Sequence, residues 1–291
     1  MELRDMAQAA DGQELAVTRF PAEGRAWGTV LVAGAMGVRQ GFYEPLARFL
    51  AQGGLHVLTF DFRGMGASRK GPLRGFEASV TDWAESDLDA MLRLARAMDP
   101  ALPAFAVGHS LGGQLFGAVP EGARLEAFVT VTAGSGWYRH NERMFWRVRF
   151  FWFVAIPLLT PLFGYFPGRR LGMVGDLPAG VAWQWRRWCL HRDYLLREGE
   201  AVRRRFDAVA APVLAYSFAD DAMLTKRAID RLHGFYRNAR VERRHVAPLE
   251  AGRSRIGHVG YFLPESRDNL WRDTLEWLRA KAAPAPPAIP E

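Results

Sequence analysis

Ala104-Phe105-Ala106-Val107-Gly108-His109-Ser110-Leu111-Gly112-Gly113-Gln114 is an apolar run that breaks into a glycine-flanked serine and then leads into the apolar stretch Gln114 to Val119. The pattern reads as a strand turning sharply into a helix. A serine on such a turn needs a small residue two positions before it and two after, because the backbone must be tight enough to hold the side chain clear of the sheet. Gly108 and Gly112 meet that need, so Ser110 is the candidate nucleophile.

On either side of this turn, short apolar runs alternate with longer amphipathic ones, as a parallel sheet wrapped in helices requires. Thr29 to Ala33, His56 to Phe60, Ala104 to Gly108 and Phe128 to Thr132 are the expected strands before residue 137. Gly41 to Gln52 and Thr81 to Met98 are the expected crossover helices, the second burying Trp83, Leu88, Met91, Leu92 and Ala95. The alternation resumes with strands at Val213 to Phe218 and Val241 to Val246, a helix at Thr225 to Tyr236, and a final helix from Pro264 to Ala282 with Leu270, Leu275, Trp277 and Leu278 inward. The tail at 283–291, Ala-Pro-Ala-Pro-Pro-Ala-Ile-Pro-Glu, is expected to be disordered.

At 291 residues and 49% hydrophobic content the chain is long and apolar enough to bury a large core, which excludes a mainly disordered protein. A single cysteine, Cys189, excludes an internal disulfide framework and a multi-cysteine metal site, and reads as a packed thiol. The first twenty residues are interrupted by charges and show no apolar signal segment, so cytoplasmic residence is the expectation. The net charge of +7 is unevenly placed. Residues 137–205 hold 13 arginines against five acids, together with six of the 10 tryptophans. That shift marks a segment with its own task. Its stretch Phe150 to Phe166 is apolar enough to suggest a membrane span, but Pro157, Pro161 and Gly164 argue against an unbroken helix there.

With its Gly-x-Ser-x-Gly turn and strand pattern, the chain resembles the α/β-hydrolase family from about Val17 to Arg279. The resemblance implies an α/β fold with a mostly parallel central sheet flanked by helices, residues 1–136 and 206–282 forming the core and 137–205 a helical, basic, aromatic-rich cap inserted before the acid-bearing strand. It also implies a serine, acid, histidine order along the chain. Asp220-Asp221 follows the strand Val213 to Phe218, and His258 lies between the last strand and the last helix. Serine needs an imidazole to take its proton and a carboxylate to orient that imidazole. Ser110, His258 and Asp221 are assigned these roles, with Asp220 the alternative acid. The plainer readings are a helix-capping aspartate before Thr225 and a solvated loop histidine. His109 reads as a filler within the turn.

Acyl transfer also requires amide donors for a developing oxyanion. Leu111, directly after the serine, would supply one. Ala33-Gly34-Ala35-Met36-Gly37 stands where many relatives carry His-Gly-x-x-Gly, so Ala35 is the first candidate for the other and Met36 the second. Asp61-Phe62-Arg63-Gly64-Met65-Gly66-Ala67-Ser68 matches a turn-rich stretch of the family and reads as structural.

Within the expected cap, Trp137, Phe150, Phe153 and Trp185 are candidate substrate-binding residues, weighed against plain helix packing. Its arginines read as a solvated face, with a rim resting on anionic membrane headgroups as the other reading. No recognition motif accompanies the charge, so no nucleic-acid partner is expected, and no phosphate loop, metal-ligand spacing or dinucleotide fingerprint points to a cofactor. The leading expectation is a serine hydrolase acting on an ester, thioester or amide of a hydrophobic acid, esterase ahead of peptidase. The alternatives are an acyltransferase or perhydrolase on the same residues, and a non-catalytic binding or membrane-associated protein of this fold.

Overall fold

The computed structural model of the chain describes residues 2–282, so the expected disordered tail at 283–291 lies outside the described residues. Eight strands form one sheet in the order β1-β2-β4-β3-β5-β6-β9-β10. They are β1 (Leu3–Gln8), β2 (Glu14–Phe20), β3 (Gly28–Ala33), β4 (Leu55–Phe60), β5 (Ala104–His109), β6 (Ala127–Val131), β9 (Val213–Phe218) and β10 (Val241–Val246), with a separate two-stranded ribbon of β7 (Tyr165–Phe166) and β8 (Leu177–Pro178). From β4 to β10 all pairings are parallel, and β1 and β2 join antiparallel at one edge. The parallel core was legible because β3, β5, β6 and β9 are buried along their whole length and are therefore continuously apolar. β10 closes the other edge with the charged run Glu242, Arg243, Arg244, which discourages further strand pairing.

Side chains alternate between two cores, one on each sheet face. Val30, Val32, Phe105 and Val107 point into the layer covered by α1 (Glu44–Gln52) and the last helix. Leu31, Ala33 and Ala106 point into the layer that holds Trp83, Met91 and Leu92. That second layer begins with α2 (Val80–Asp82), passes through a π-helical stretch at Trp83–Leu88 and continues as α3 (Asp89–Ala97). Ser79 starts it with a reciprocal capping pair to Asp82. The remaining helices are α4 (Leu111–Gln114), α5 (Phe145–Phe150), α6 (Ile156–Phe163), α7 (Ala179–Cys189), α8 (Glu200–Ala208), α9 (Lys226–His233) and α10 (Arg272–Ala282).

Three expectations need correction. The antiparallel pair β1 and β2 was missed, since β1 is exposed along most of its length and carries no core signal. The expected boundary at residue 205 falls inside α8, whose Phe206 is buried against Phe235 and Tyr236 of the core. The helix at Phe145 also runs on through Pro157 and Pro161 to Phe163, and ends at Gly164 in a left-handed conformation. A π-helical stretch at Phe151–Ala155 precedes Pro157, and the Trp152 carbonyl there accepts the Arg186 Nε at 2.6 Å, so the prolines leave that carbonyl satisfied.

The Asp61 to Ser68 turn is structural, as its composition implied. Asp61 accepts the Ala67 amide at 2.9 Å, and the Ser68 hydroxyl donates to the Asp61 carbonyl at 2.6 Å. Arg63 reaches away from the turn, to the fully buried Asp87 at 2.6 Å and to Asp11 at 2.6 Å. Breaking a buried pair leaves an uncompensated charge, so Arg63→Met is expected to lower stability by about 3–5 kcal/mol in urea unfolding. Arg63→Met with Asp87→Asn is expected to recover about half of that loss.

Candidate active site

At the end of β5 the chain makes a turn that only glycine neighbours permit. A Cβ on Gly108 would stand 2.4 Å from the Gly113 Cα, and one on Gly112 would stand 2.4 Å from the Ala33 carbonyl oxygen. Ser110 itself adopts φ +48° and ψ −115°, a conformation that costs on the order of 1–3 kcal/mol for a residue with a side chain. Its amide donates to the Val131 carbonyl at 2.9 Å and its carbonyl accepts the Gln114 amide at 3.0 Å, which pins the strained residue from both sides. The result is a serine at the carboxyl end of a central strand, facing a cavity.

Asp221 and His258 come together in the same place. His258 Nδ1 lies 2.9 Å from Asp221 Oδ2, and the Asp221 side chain is fully buried. The other carboxylate oxygen accepts the Met223 and Leu224 amides at 2.7 and 3.1 Å. Asp220 does something different: its two oxygens accept the Ile256 and Gly257 amides, each at 2.9 Å. The first aspartate therefore clamps the loop, and the second faces the imidazole. Gly257, at φ +59°, supplies the left-handed step that presents His258. Ser110 and His258 line one cavity without a hydrogen bond between them.

Two residues that the sequence did not single out hold the same loop. The His258 carbonyl accepts from His109 Nε2 at 3.0 Å and from the Thr132 hydroxyl at 3.2 Å. Thr132 sits at the end of β6 with φ +47°, an unusual conformation for a β-branched residue and a sign of local constraint. His109 is no filler: it is wholly buried and bonded at both ring nitrogens. Tyr43 Oη lies 2.8 Å from its Nδ1, and that oxygen also accepts the Ala35 amide at 2.8 Å. The carbonyl of His258 can only accept, so His109 carries its proton on Nε2 and accepts a hydrogen bond from the Tyr43 hydroxyl on Nδ1. Burial, and secondarily the neighbouring His258, holds the His109 imidazole well below its ordinary range and keeps it neutral.

This chain of bonds corrects the expectation for Ala35. Its amide is occupied by Tyr43, because the loop after β3 curls back over the start of α1. Among the described residues the Met36 amide has no acceptor, and neither does that of Leu111, which as the first residue of α4 has no partner within the helix. Both belong to buried residues beside Ser110.

The cavity has a volume of about 450 Å³. Trp137 and Trp185 line it. Phe150 and Phe153 do not: they are 52% and 49% exposed on the opposite face of their helix, and the adjacent Phe151 and Trp152 take the lining positions. The helical period places 148, 151, 152 and 155 on one side, a register that apolar content alone could not reveal where every position is apolar. Cys189 also reaches the cavity wall, with its thiol buried and its ionisation pushed up by that burial. Gln114, Ser135 and His140 add polar atoms, and the His140 Nδ1 is buried without a partner among the described residues. A more open depression of about 710 Å³ lies at the opposite end of β5, but its Arg93, Arg96 and Arg124 are already paired with Glu121.

A family model described as serine aminopeptidase, S33, matches residues 24–135. No curated protein sequence matches the chain. Among solved structures, a soluble variant of monoglyceride lipase from Saccharomyces cerevisiae in complex with a substrate analog superposes with a TM-score of 0.69 at 16% identity, over 98% of this chain and 96% of that one. A thermostable carboxyl esterase from Bacillus coagulans in complex with glycerol gives 0.63 at 11% identity, over 97% and 99%. An esterase from Pyrococcus furiosus gives 0.63 at 14% identity, over 97% and 92%. The sheet order, the serine turn at its centre and these likenesses across nearly the whole length show that the chain has the α/β-hydrolase fold.

Proposed function

We propose that the chain is a serine hydrolase that cleaves an ester of a hydrophobic acyl group through an acyl-enzyme on Ser110. The observation that carries this reading is the 2.9 Å contact between Asp221 and His258 at the mouth of the strained Ser110 turn. His258 Nδ1–H donates to Asp221, which leaves Nε2 free to take the Ser110 proton as Oγ attacks the substrate carbonyl. The Leu111 and Met36 amides donate to the oxyanion. As the tetrahedral intermediate collapses, the proton on Nε2 passes to the departing alkoxide. Water then repeats the sequence against the acyl-serine and restores the hydroxyl.

The walls of the cavity support an apolar acyl group: Met36, Val148, Phe151, Trp152 and Trp185 contribute to them, and Trp152 and Trp185 pack edge to face at 4.7 Å. Residues 137–198 act as the cap in this reading. They are anchored to the core where Gln184 Nε2 donates to the Thr81 hydroxyl at 2.7 Å and Gln184 Oε1 accepts the Thr81 amide at 3.0 Å. Lipases and esterases among the structural neighbours support an ester substrate over a peptide.

Ser110→Ala is expected to lower hydrolysis of a p-nitrophenyl ester by about three to six orders of magnitude, with fluorophosphonate labelling lost in parallel; retention of most activity would refute the acyl-enzyme. The two aspartates should separate cleanly in kcat measurements. Asp221→Asn is expected to cost about 10⁴-fold, as loss of the orienting carboxylate does elsewhere, and Asp220→Asn about 10²-fold through displacement of the His258 loop. Phe151→Ala is expected to reduce kcat/KM for an octanoate ester by about ten- to a hundred-fold relative to acetate, whereas Phe153→Ala leaves the ratio unchanged.

A further inference from the structure

α5, the π-helical stretch and α6 form one continuous helix, Phe145–Phe163, and among the described residues it alone is long and apolar enough to cross a membrane. One of its faces packs on the rest of the chain. Trp152, Ala155, Ile156 and Thr160 are buried on its inner face, and Phe151 and Trp152 contact Phe166 and Trp185 of the same segment. The outer face is apolar too. Trp146 is 78% exposed, Leu158 63% and Leu162 66%, and Phe150 and Phe153 lie between them on the same stripe. A surface helix of a water-soluble domain carries polar residues on that face, and a contiguous apolar stripe marks a docking surface.

Charge identifies the occupant. Residues 143–175 contain five arginines, Arg143, Arg147, Arg149, Arg169 and Arg170, and no acid. Among the described residues none of the five has a carboxylate within salt-bridge distance, unlike most arginines elsewhere in the chain. They flank the stripe at its beginning and follow its end, and Leu171 and Met173 are exposed beside the last two. A second copy of the chain placed against this face would set like charges together. Phosphates would neutralise them, each arginine near an anionic bilayer contributing about 1 kcal/mol.

We propose that the outer face of the Phe145–Phe163 helix is a docking surface for an anionic lipid bilayer. The helix lies in the plane of the interface, with Trp146, Phe150, Phe153, Leu158 and Leu162 among the acyl chains and Arg149, Arg169 and Arg170 at the phosphates. Its inner face supplies Met144, Arg147, Val148, Phe151 and Trp152 to the cavity, so one helix is both membrane contact and pocket wall. That arrangement fits a substrate drawn from the bilayer, an ester of a long acyl chain. The choice of substrate rests on the hydrolase reading; the docking does not.

Co-sedimentation with vesicles of phosphatidylcholine, with and without phosphatidylglycerol, tests the docking. The full chain is expected to bind the phosphatidylglycerol vesicles and to release as salt is raised. Trp146→Ser with Leu158→Ser should weaken that binding about tenfold or more, with the melting temperature and hydrolysis of soluble p-nitrophenyl acetate unchanged. Arg169→Glu with Arg170→Glu should abolish the preference for phosphatidylglycerol. Equal binding of the parent and the Trp146 and Leu158 variant, or no binding to either vesicle, overturns the proposal. So does a dimer in sedimentation velocity that the same variant dissolves in the absence of vesicle binding, which would assign the face to a second copy. Ser110→Ala protein should bind vesicles as the parent does, and that result holds even if the acyl-enzyme is refuted.

Discussion

The close approach of backbone to backbone at the end of β5 governs the site. Gly108 lies against Gly113, and Gly112 against the carbonyl of Ala33, at separations where no Cβ fits. This contact lets α4 start directly over the strand and forces Ser110 into positive φ. The local penalty is met by the surrounding order: Ser110 is bonded through its amide to β6 and through its carbonyl to α4, so it cannot relax without parting two elements. A turn fixed in this way holds the Ser110 backbone in one place at the edge of the cavity.

From that turn a set of buried bonds reaches the other loops. Ala35, Tyr43, His109 and the His258 carbonyl form a continuous series, so the loop after β3, the serine turn and the histidine loop are positioned by one another. Because the His258 carbonyl can only accept, the donor and acceptor ends of His109 are fixed. Adjacent aspartates divide the remaining tasks, one gripping backbone and the other facing a ring.

Much of this was legible in the primary structure, for identifiable reasons. Buried parallel strands must be apolar throughout, and glycines at fixed offsets from Ser110 are a steric requirement, so the central sheet and the turn stood out. Asp221 and His258 followed from chain order within the resembled family. The buried series was invisible, because nothing in the spacing of Tyr43 and His109 shows that 66 residues of separation close to 2.8 Å. Thr132 carried no signal either, since its strain arises from the strands around it. Phe150 and Phe153 were misplaced by a physical ambiguity: in a helix apolar on every side, hydrophobicity does not tell inside from outside. The exposed edge strand β1 left no trace for the converse reason, having almost no buried face to record.

The bond from His109 to the His258 carbonyl joins positions 149 residues apart. A polypeptide leaving the ribosome therefore carries its serine turn long before the loop bonded to it has been made. Until then His109 Nε2 lacks the carbonyl to which it donates in the finished fold. A product truncated before residue 258 would leave that buried donor without its acceptor, a loss comparable to that of a buried hydrogen bond.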